Sequence, residues 1–287
     1  MKMNLVLQGP SADQACLERL ARLASASHVK VLHAHALCCF EVDYSPSLRQ
    51  TIEVAAHAAQ VDATFIEAGR SLADFKLVAM DMDSTLITIE CIDEIADMQG
   101  LKAQVAEITE AAMRGELEFA DSLLRRVALL KGLDAAALQR VYDQRLALSP
   151  GAQSMLAAVQ QAGLKTLLVS GGFTFFTERL QAQLGLDYAH ANALEVVDGK
   201  LTGKVVGGIV DADEKQRTVE RVCAEMGITP AQAIVMGDGA NDLKMMGIAG
   251  LSVAFRAKPV VRQQAGVALS FCGLDGLITI LSACATD

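Results

Sequence analysis

The stretch LVAMDMDSTLITIE, residues 77–90, places an apolar segment directly before two aspartates, Asp81 and Asp83, that are one residue apart. Side chains alternate along a β-strand, so positions i and i+2 point to the same side. Two carboxylates held that close repel each other, and the repulsion raises the pKa of one of them. A buried strand that ends in this way indicates a reaction site, a bound counter-charge, or both.

The polar residues after this strand also allow a structural interpretation, because Asp and Ser commonly cap helices. A single cap needs one such residue, whereas four of the five residues 81–85 are Asp, Ser or Thr. The functional interpretation is a nucleophile beside a general acid. One carboxylate can attack phosphorus and form an aspartyl-phosphate, and the other carboxyl group can protonate the leaving oxygen.

Two further apolar segments end in complementary polar sequence. Ser170-Gly171-Gly172 follows TLLV, and glycines let backbone N–H groups approach a phosphate closely, with a helix predicted from FTERL onward. An ordinary strand-to-helix turn explains this segment equally well. In VMGDGAND, Asp238 and Asp242 are four residues apart. Like charges at that spacing destabilise a helix, and Mg²⁺, which prefers oxygen ligands, would relieve the repulsion. The structural alternative is a solvated turn.

A cation is also needed beside a phosphate, and three lysines are candidates. Lys215 is predicted to open the helix KQRTVERVCAEMG, whereas Lys200 and Lys204 lie in DGKLTGKV, which is typical of a surface hairpin. Any single lysine is by default a surface residue. Spacing alone does not select Lys215 over that default.

The apolar segments around these motifs predict an α/β fold. FKLVAMD, LKTLLVS, AIVMGD and GLSVAF are short and continuously apolar, as in strands of a parallel sheet that is buried on both faces. Residues 92–150 hold amphipathic helical patterns, which we interpret as a helical cap over the strand ends. Ligands of open parallel sheets bind at the carboxyl ends of the strands, where the polar motifs lie.

Residues 1–74 have a different pattern, which predicts the element order βαββαβ of a small ferredoxin-like domain. Its first helix has Ser11 or Asp13 as a candidate N-cap, and its second opens with Ser45 followed by Pro46. We therefore expect two domains, residues 1–74 and 75–287, the second carrying the cap at about residues 92–150.

Composition limits the classes of function. The chain has 287 residues, 52% of them hydrophobic, and a formal net charge of −9, which argues against a nucleic-acid partner. Its seven cysteines show neither zinc-site spacing nor a secreted disulfide framework. The sequence shows no signal-peptide pattern and no apolar run long enough for a membrane span. We expect a soluble cytoplasmic protein with a small-molecule substrate.

Taken together, DMDST, SGG, a helix-opening lysine and GDGAND, in this order, resemble the haloacid dehalogenase superfamily of phosphotransferases. The resemblance covers residues 75–287, and the four-part set is far more specific than any one of its parts. It implies a Rossmann-like parallel sheet core with a helical cap, and Mg²⁺ as cofactor. Residues 1–74 resemble the ACT-type regulatory modules attached to some of these enzymes, which implies regulation or a homodimer through this domain.

The resemblance also assigns roles to residues. It makes Asp81 the nucleophile and Asp83 the general acid and then base.

Four residues would hold the phosphate, namely Ser170, Gly171, Lys215 and Asn241. The metal ligands would be Asp81, the backbone carbonyl of Asp83, and Asp238, with Asp242 nearby in support. In the cap, Glu90 would bind a substrate ammonium and Arg126 a substrate carboxylate, with Met113 and Phe119 as apolar neighbours. The adjacent Arg125 is the alternative to Arg126.

Three hypotheses follow for the function. The first is a phosphatase for a phosphorylated amino acid, since Glu90 and Arg126 match an ammonium and a carboxylate. The second is an enzyme of the same fold that acts on another small phosphomonoester or transfers phosphoryl to an acceptor such as homoserine. The third is a sensor protein with a vestigial catalytic domain, against which the intact set of motifs argues.

Overall fold

Two β-sheets organise the chain, one of four strands and one of seven, in a computed structural model that describes residues 2–26, 28–114 and 116–283. The four-stranded sheet and its two helices come first in the sequence. Their bounds are β1 (Lys2–Gln8), α1 (Gln14–Leu23), β2 (His28–His33), β3 (Ala36–Asp43), α2 (Pro46–Ala58) and β4 (Asp62–Ile66). This is the predicted βαββαβ order.

The small sheet is antiparallel with strand order β2-β3-β1-β4, the ferredoxin-like arrangement. Local sequence explains where its helices begin. The side chain of Asp13, rather than Ser11, caps α1 by accepting from the backbone N–H of Cys16. Ser45 caps α2 by accepting from Leu48, with Pro46 as the first helical residue.

The seven-stranded sheet confirms the predicted α/β class, with the order β11-β10-β9-β5-β6-β7-β8. Its strands are β5 (Leu77–Met80), β6 (Lys165–Phe173), β7 (Tyr188–Val197), β8 (Lys200–Val206), β9 (Ala233–Gly237), β10 (Leu251–Phe255) and β11 (Val267–Leu269). All neighbouring strands are parallel except β7 and β8, which form the predicted hairpin. All four residues of β5 are buried, because helices cover both faces of the sheet.

Five described helices lie between β5 and β6 in the sequence, and we refer to the first four as the cap. They are α3 (Cys91–Asp97), α4 (Lys102–Met113), α5 (Phe119–Leu129) and α6 (Ala136–Gln144). The remaining helices are α7 (Ala152–Gln161), α8 (Thr174–Leu184), α9 (Ala212–Glu225), α10 (Leu243–Gly247), α11 (Pro259–Gln264) and α12 (Gly276–Ala283). No helix among the described residues is long and apolar enough to cross a membrane. The domain boundaries proposed from the sequence stay a prediction.

The small sheet packs against the rest of the protein through one of its faces. Helices α1 and α2 cover the other face, whereas Val6, Cys38 and Ile66 share an apolar core with Leu277 and Ile280 of α12. Alternation along β1 explains this division, because neighbouring residues of a strand point to opposite faces.

A buried carboxylate also joins the two parts. Asp62 begins β4 and is 4% exposed. Its Oδ1 accepts from the N–H of Ser270 at 2.8 Å, and its Oδ2 accepts from the N–H groups of Phe271 at 3.2 Å and Cys272 at 2.9 Å. Three consecutive backbone donors from the segment before α12 thus meet one side chain of the small sheet.

We expect Asp62→Ala to lower the free energy of unfolding by about 2–3 kcal/mol, because buried N–H groups would lose a charged acceptor. Urea unfolding followed by circular dichroism measures this change. Asp43→Ala is the matched control, since the Asp43 side chain is 82% exposed in its ion pair with Lys2. The control should change the free energy by less than about 0.5 kcal/mol. Equal effects of the two variants would contradict the interdomain role of Asp62.

Candidate active site

The polar segments after β5, β6 and β9 meet at one edge of the main sheet, beneath the cap. They surround a cavity of about 710 Å³. The predicted site residues that line it are Asp81, Asp83, Glu90, Phe119, Arg126, Ser170, Gly171, Asp238 and Asn241. Strands β9, β5 and β6 are neighbours in a parallel sheet, so their carboxyl ends bring these residues together.

Lys215 forms the centre of an ion-pair network next to the cavity. Its side chain is 0% exposed, and its Nζ lies 2.8 Å from Asp81 Oδ2 and 2.7 Å from Asp242 Oδ1. The prediction that Lys215 opens its helix is wrong by three residues, because α9 begins at Ala212, with Asp211 as its N-cap residue. That extra turn places Lys215 inside the protein rather than on its surface.

Asp242 supports the loop that carries Asp238. Both Asp242 oxygens are occupied: Oδ1 pairs with Lys215, and Oδ2 accepts from the N–H groups of Asp238 at 3.2 Å and Gly239 at 3.0 Å. The expectation that Asp238 and Asp242 share a helix is wrong, because α10 begins only at Leu243. The chain turns back so that the Asp242 carboxylate caps the backbone of the preceding loop.

The carboxylates of Asp81, Asp238 and Asp242 form a cluster that fits a cation. One oxygen of each lies within 4.8 Å of the others. The pKa of Asp81 is raised, and that of Asp238 is raised to about 6. In both cases burial is the main cause and repulsion from Asp242 is the second. Lys215 offsets only part of this negative charge. Carboxylate oxygens at this spacing suit a hard divalent cation, so the residues present fit a metal ion.

Asp83 has the protonation behaviour of a general acid. Burial is the main cause that raises its pKa to about 8, and the carboxylate of Glu90 is the next. The expectation that repulsion from Asp81 would be the cause is therefore wrong. Asp83 lies beyond the end of β5, in a turn over Met82–Leu86, and its Oδ1 is buried without a hydrogen-bond partner among the described residues.

A sharp turn after Asp83 carries Glu90 to the cavity. Ser84 has a φ of 55°, a left-handed conformation that is uncommon for a residue with a side chain. Its hydroxyl donates to Glu90 Oε1 at 2.6 Å. On the other side of the turn, the hydroxyl of Thr85 donates to Asp238 Oδ1 at 3.2 Å. The residues after the two aspartates thus orient both a cap residue and a residue of the acidic cluster.

Ser170 and the two glycines after it lie at the end of β6, and the predicted helix follows directly as α8, which begins at Thr174. The strand continues to Phe173, and its pairing with β7 is irregular between Val169 and Phe173. A Cβ atom at Gly171 would lie 2.9 Å from Phe119, and one at Gly172 would lie 3.0 Å from Asp83 Oδ2. A side chain at position 171 would displace Phe119, and one at position 172 would displace the Met82 and Asp83 side chains. The buried Ser170 hydroxyl accepts from the N–H of Gly172 at 2.8 Å.

The cap presents Arg126 rather than Arg125 to the cavity. Both belong to α5, but Arg126 lines the cavity and its Nε donates to the carbonyl of Ser122 at 3.3 Å, whereas Arg125 is exposed. Phe119 begins the same helix and contacts the glycine segment. The side chain of Met113, predicted as an apolar neighbour, lies outside the described part of the structure.

Several residues at or beside the site had no predicted role. Asn192 of β7 is buried; its amide donates to the carbonyl of Gly171 at 2.8 Å and its Oδ1 accepts from the N–H of Val210 at 2.8 Å. Thr85 was present in the motif without an assigned partner. Asp93, Ser122 and Lys258 also line the cavity. Helical spacing is the sequence signal that could have identified two of them. Asp93 is three residues after Glu90, and Ser122 is four residues before Arg126.

This arrangement defines a class of protein: a hydrolase with a mostly parallel sheet, a helical cap and a cavity lined by buried carboxyl groups beside a buried lysine. The model of the haloacid dehalogenase-like hydrolase family matches residues 75–250. The chain belongs to that family.

Individual relatives carry a more specific name than the family model does. The chain is 58% identical over 215 residues to a phosphoserine phosphatase from Polaromonas sp., covering 73% of this chain and 91% of the relative. It is 47% identical to a phosphoserine phosphatase from Haemophilus influenzae, covering 79% and 72%. A crystal structure of a HAD family hydrolase from Salmonella enterica serovar Typhi superposes with a TM-score of 0.89 at 31% identity, covering 97% of this chain and 98% of that one.

The raised pKa values predict how stability depends on pH in the metal-free protein. In the folded state the pKa of Asp83 is about 8 and that of Asp238 about 6, both above the ordinary value of 3.8. Between pH 4 and 8 the folded protein therefore holds protons that the unfolded chain releases. The contribution of these groups to the free energy of unfolding falls as pH rises through that range.

Urea unfolding in EDTA at pH 5 and pH 8 tests this prediction, with Asp83→Asn as the comparison. We expect the wild type to lose more stability towards pH 8 than the variant, by about 1 kcal/mol or more. Divalent cation added at pH 8 should restore much of the loss. An equal pH dependence in the wild type and the variant would contradict the raised pKa of Asp83.

Proposed function

We propose that the protein is a Mg²⁺-dependent phosphoserine phosphatase, which hydrolyses O-phospho-L-serine to L-serine and phosphate in the last step of serine biosynthesis. The observation that carries this proposal is one cavity lined by Asp81, which pairs with the buried Lys215, by the protonated Asp83, by Glu90 at the start of the cap and by Arg126 of the cap. The names of the relatives at 58% and 47% identity support the same substrate.

In the first step, a carboxylate oxygen of Asp81 attacks phosphorus, and the bond between phosphorus and the serine oxygen breaks. The Asp83 carboxyl group gives its proton to that serine oxygen, so that L-serine leaves with a neutral hydroxyl. A pKa of about 8 keeps Asp83 protonated at neutral pH, as this role requires. The product on the enzyme is a phosphoryl group on Asp81.

In the second step, water attacks the phosphorus of the aspartyl-phosphate, and the bond to Asp81 breaks. Asp83, now a carboxylate, accepts the proton of that water, which returns both aspartates to their starting forms. The cap must admit water at this stage, so it cannot remain closed throughout the cycle.

Four residues would bind the phosphate, namely Ser170, Gly171, Lys215 and Asn241. Lys215 is the cation closest to the nucleophile, with its Nζ 2.8 Å from Asp81 Oδ2. Its ammonium would offset charge on the phosphoryl oxygens as the bond to Asp81 forms. The close approach that glycine allows at position 171 would let its backbone N–H reach another of these oxygens.

Magnesium would be held by Asp81, by the backbone carbonyl of Asp83 and by Asp238, with Asp242 in support. The acidic cluster and its raised pKa values support this assignment. When bound, a magnesium ion neutralises negative charge and polarises the phosphoryl group. Asp242 has both oxygens occupied by Lys215 and the loop backbone, so its contribution would be to position Asp238.

Selection of the amino acid would depend on the cap. Glu90 would accept from the substrate ammonium, and Arg126 would donate to its carboxylate through a forked pair of hydrogen bonds. Phe119 and Met113 would be their apolar neighbours. A substrate held by cap residues on one side and sheet residues on the other favours closure, which excludes water during the first step.

We further propose that residues 1–74 form an ACT-like regulatory domain and residues 75–287 the catalytic domain, with the cap at about 92–150. The ferredoxin-like order of the small sheet supports the first assignment. A homodimer through the small domain and a cytoplasmic location belong to the same proposal. Cys16, Cys39, Cys91, Cys223 and Cys272 are free thiols, in keeping with a reducing compartment.

Phosphate release from O-phospho-L-serine, with Mg²⁺ and with EDTA, beside a panel of other phosphomonoesters, tests the proposed function. We expect a strong preference for phosphoserine that EDTA abolishes, and a loss of about a thousandfold or more in Asp81→Asn. Asp213→Asn, at an exposed ion pair with Lys244, is the control and should retain full activity.

Two results would contradict the account. Activity on other esters but not on phosphoserine would retain the chemistry of Asp81 and reject the substrate. Full hydrolysis by Asp83→Asn would reject its role as acid and base. Homoserine added to the same reaction separates hydrolysis from transfer, because its phosphorylated form would appear only if the enzyme were a phosphotransferase.

A further inference from the structure

Two buried polar atoms in the cavity have neither a partner among the described residues nor a role in the reaction above. They are Oδ1 of Asp93 and the hydroxyl of Ser122, and both residues line the cavity. Ser122 is 2% exposed. Buried polar atoms in folded proteins nearly always have a hydrogen-bond partner. Unpaired polar atoms that border a cavity therefore indicate contacts that a ligand completes.

Each of these residues lies beside one of the two proposed amino-acid contacts. Asp93 is in the first turn of α3, and its N–H donates to the carbonyl of Glu90 at 3.1 Å. Ser122 is one turn before Arg126 on α5, and its carbonyl accepts from Arg126 Nε at 3.3 Å. One unpaired acceptor thus lies near the ammonium contact, and one unpaired hydroxyl lies near the carboxylate contact.

The hydrogen-bonding capacity of Glu90 leaves room for a second acceptor. An ammonium group has three N–H donors. Glu90 Oε1 already accepts from the hydroxyl of Ser84 at 2.6 Å, so one oxygen of Glu90 remains fully available. Asp83 Oδ1 and Asp93 Oδ1 are buried carboxylate oxygens of the cavity without a partner among the described residues, and Asp83 already serves as the acid, which leaves Asp93.

The same reasoning applies to the carboxylate of the substrate. Arg126 has its Nε occupied by the carbonyl of Ser122, which leaves its two terminal amino groups for a bidentate contact. A carboxylate accepts more hydrogen bonds than these two. The Ser122 hydroxyl, on the same helix face one turn away, can donate another.

We propose that Asp93 and Ser122 are further specificity residues of the substrate site, Asp93 as a second acceptor for the ammonium and Ser122 as a further donor to the carboxylate. This inference rests on the proposed function, because it assumes a phosphorylated amino acid. Within the described residues, neither Asp93 nor Arg126 has an ion pair within 4.0 Å. The two side chains attract each other over a longer distance, but neither is held in a direct ion pair, so both can reorient towards a zwitterionic ligand.

Three esters separate the two contacts: O-phospho-L-serine, O-phosphoethanolamine, which lacks the carboxylate, and 3-phosphooxypropanoate, which lacks the ammonium. For Asp93→Asn we expect kcat/KM to fall about tenfold on the two ammonium esters and to hold on 3-phosphooxypropanoate. For Ser122→Ala we expect a fall of about fivefold on the two carboxylate esters, with O-phosphoethanolamine unchanged. Both losses should lie mainly in KM, since these contacts do not touch the reacting atoms.

The controls are Asp97→Asn, on the same helix as Asp93 but paired with Lys102 and Arg145, and the exposed Ser154→Ala on α7. Neither should change the ratios among the three esters. Partial unfolding of a variant lowers the rates on all three esters equally, so it cannot produce the crossed pattern.

A wild type that prefers phosphoserine, with variants whose three rates are unchanged or fall equally, would overturn this inference and leave the proposed function intact. A wild type that does not hydrolyse phosphoserine would overturn both.

Discussion

The site depends on a lysine that is completely removed from water. Lys215 is 0% exposed and reaches two carboxylates, Asp81 at 2.8 Å and Asp242 at 2.7 Å. A buried ammonium is tolerated only when opposite charges and hydrogen bonds replace its hydration, and the two aspartates raise its pKa despite burial. The network joins the end of β5, α9 and the loop after β9, so Asp81, Lys215 and the rest of the acidic cluster are held by one set of contacts.

The single positive charge of Lys215 does not neutralise the carboxylates around it, and this excess of negative charge determines what the site can bind. Three clustered carboxylates face one ammonium, and the pKa of Asp238 rises to about 6 as a result of burial and of its neighbour Asp242. Under the proposed function, a divalent cation supplies the positive charge that the cluster lacks before an anionic phosphoryl group binds beside it. Asp83 lies outside this cluster, where burial and Glu90 raise its pKa, and the same cavity therefore contains a carboxylate paired with lysine and a protonated carboxyl group.

Much of this could be predicted from the sequence, because the informative features are local. Continuous apolar segments ending in DMDST, SGG and GDGAND locate the strand ends, and strand ends of a parallel sheet lie together. The resemblance then selected Lys215, which spacing alone did not, and it implied an arginine in the cap, for which the spacing from Phe119 favoured Arg126 over Arg125. Whether a carboxylate is raised in pKa by its sequence neighbour or by burial depends on which way each side chain turns after the strand, and for Asp83 the sequence suggested the wrong cause.

The remaining features depend on distant parts of the chain. Asn192 holds the carbonyl of Gly171 from a neighbouring strand, and Asp62 binds three N–H groups more than two hundred residues away in sequence. No periodicity or motif marks either residue. The packing of the small sheet on α12 is likewise a matter of surface complementarity, although the ferredoxin-like order of its elements was readable from caps and alternation.

The central claim is that Asp81 becomes covalently phosphorylated, and trapping that intermediate tests it most directly. The enzyme is mixed with O-phospho-L-serine and Mg²⁺, quenched in acid within the first turnover, digested and examined by mass spectrometry. The account predicts one phosphoryl group on the peptide that contains Asp81, and none in Asp81→Asn. A phosphoryl group on any other residue, or rapid turnover by Asp81→Asn, would contradict it.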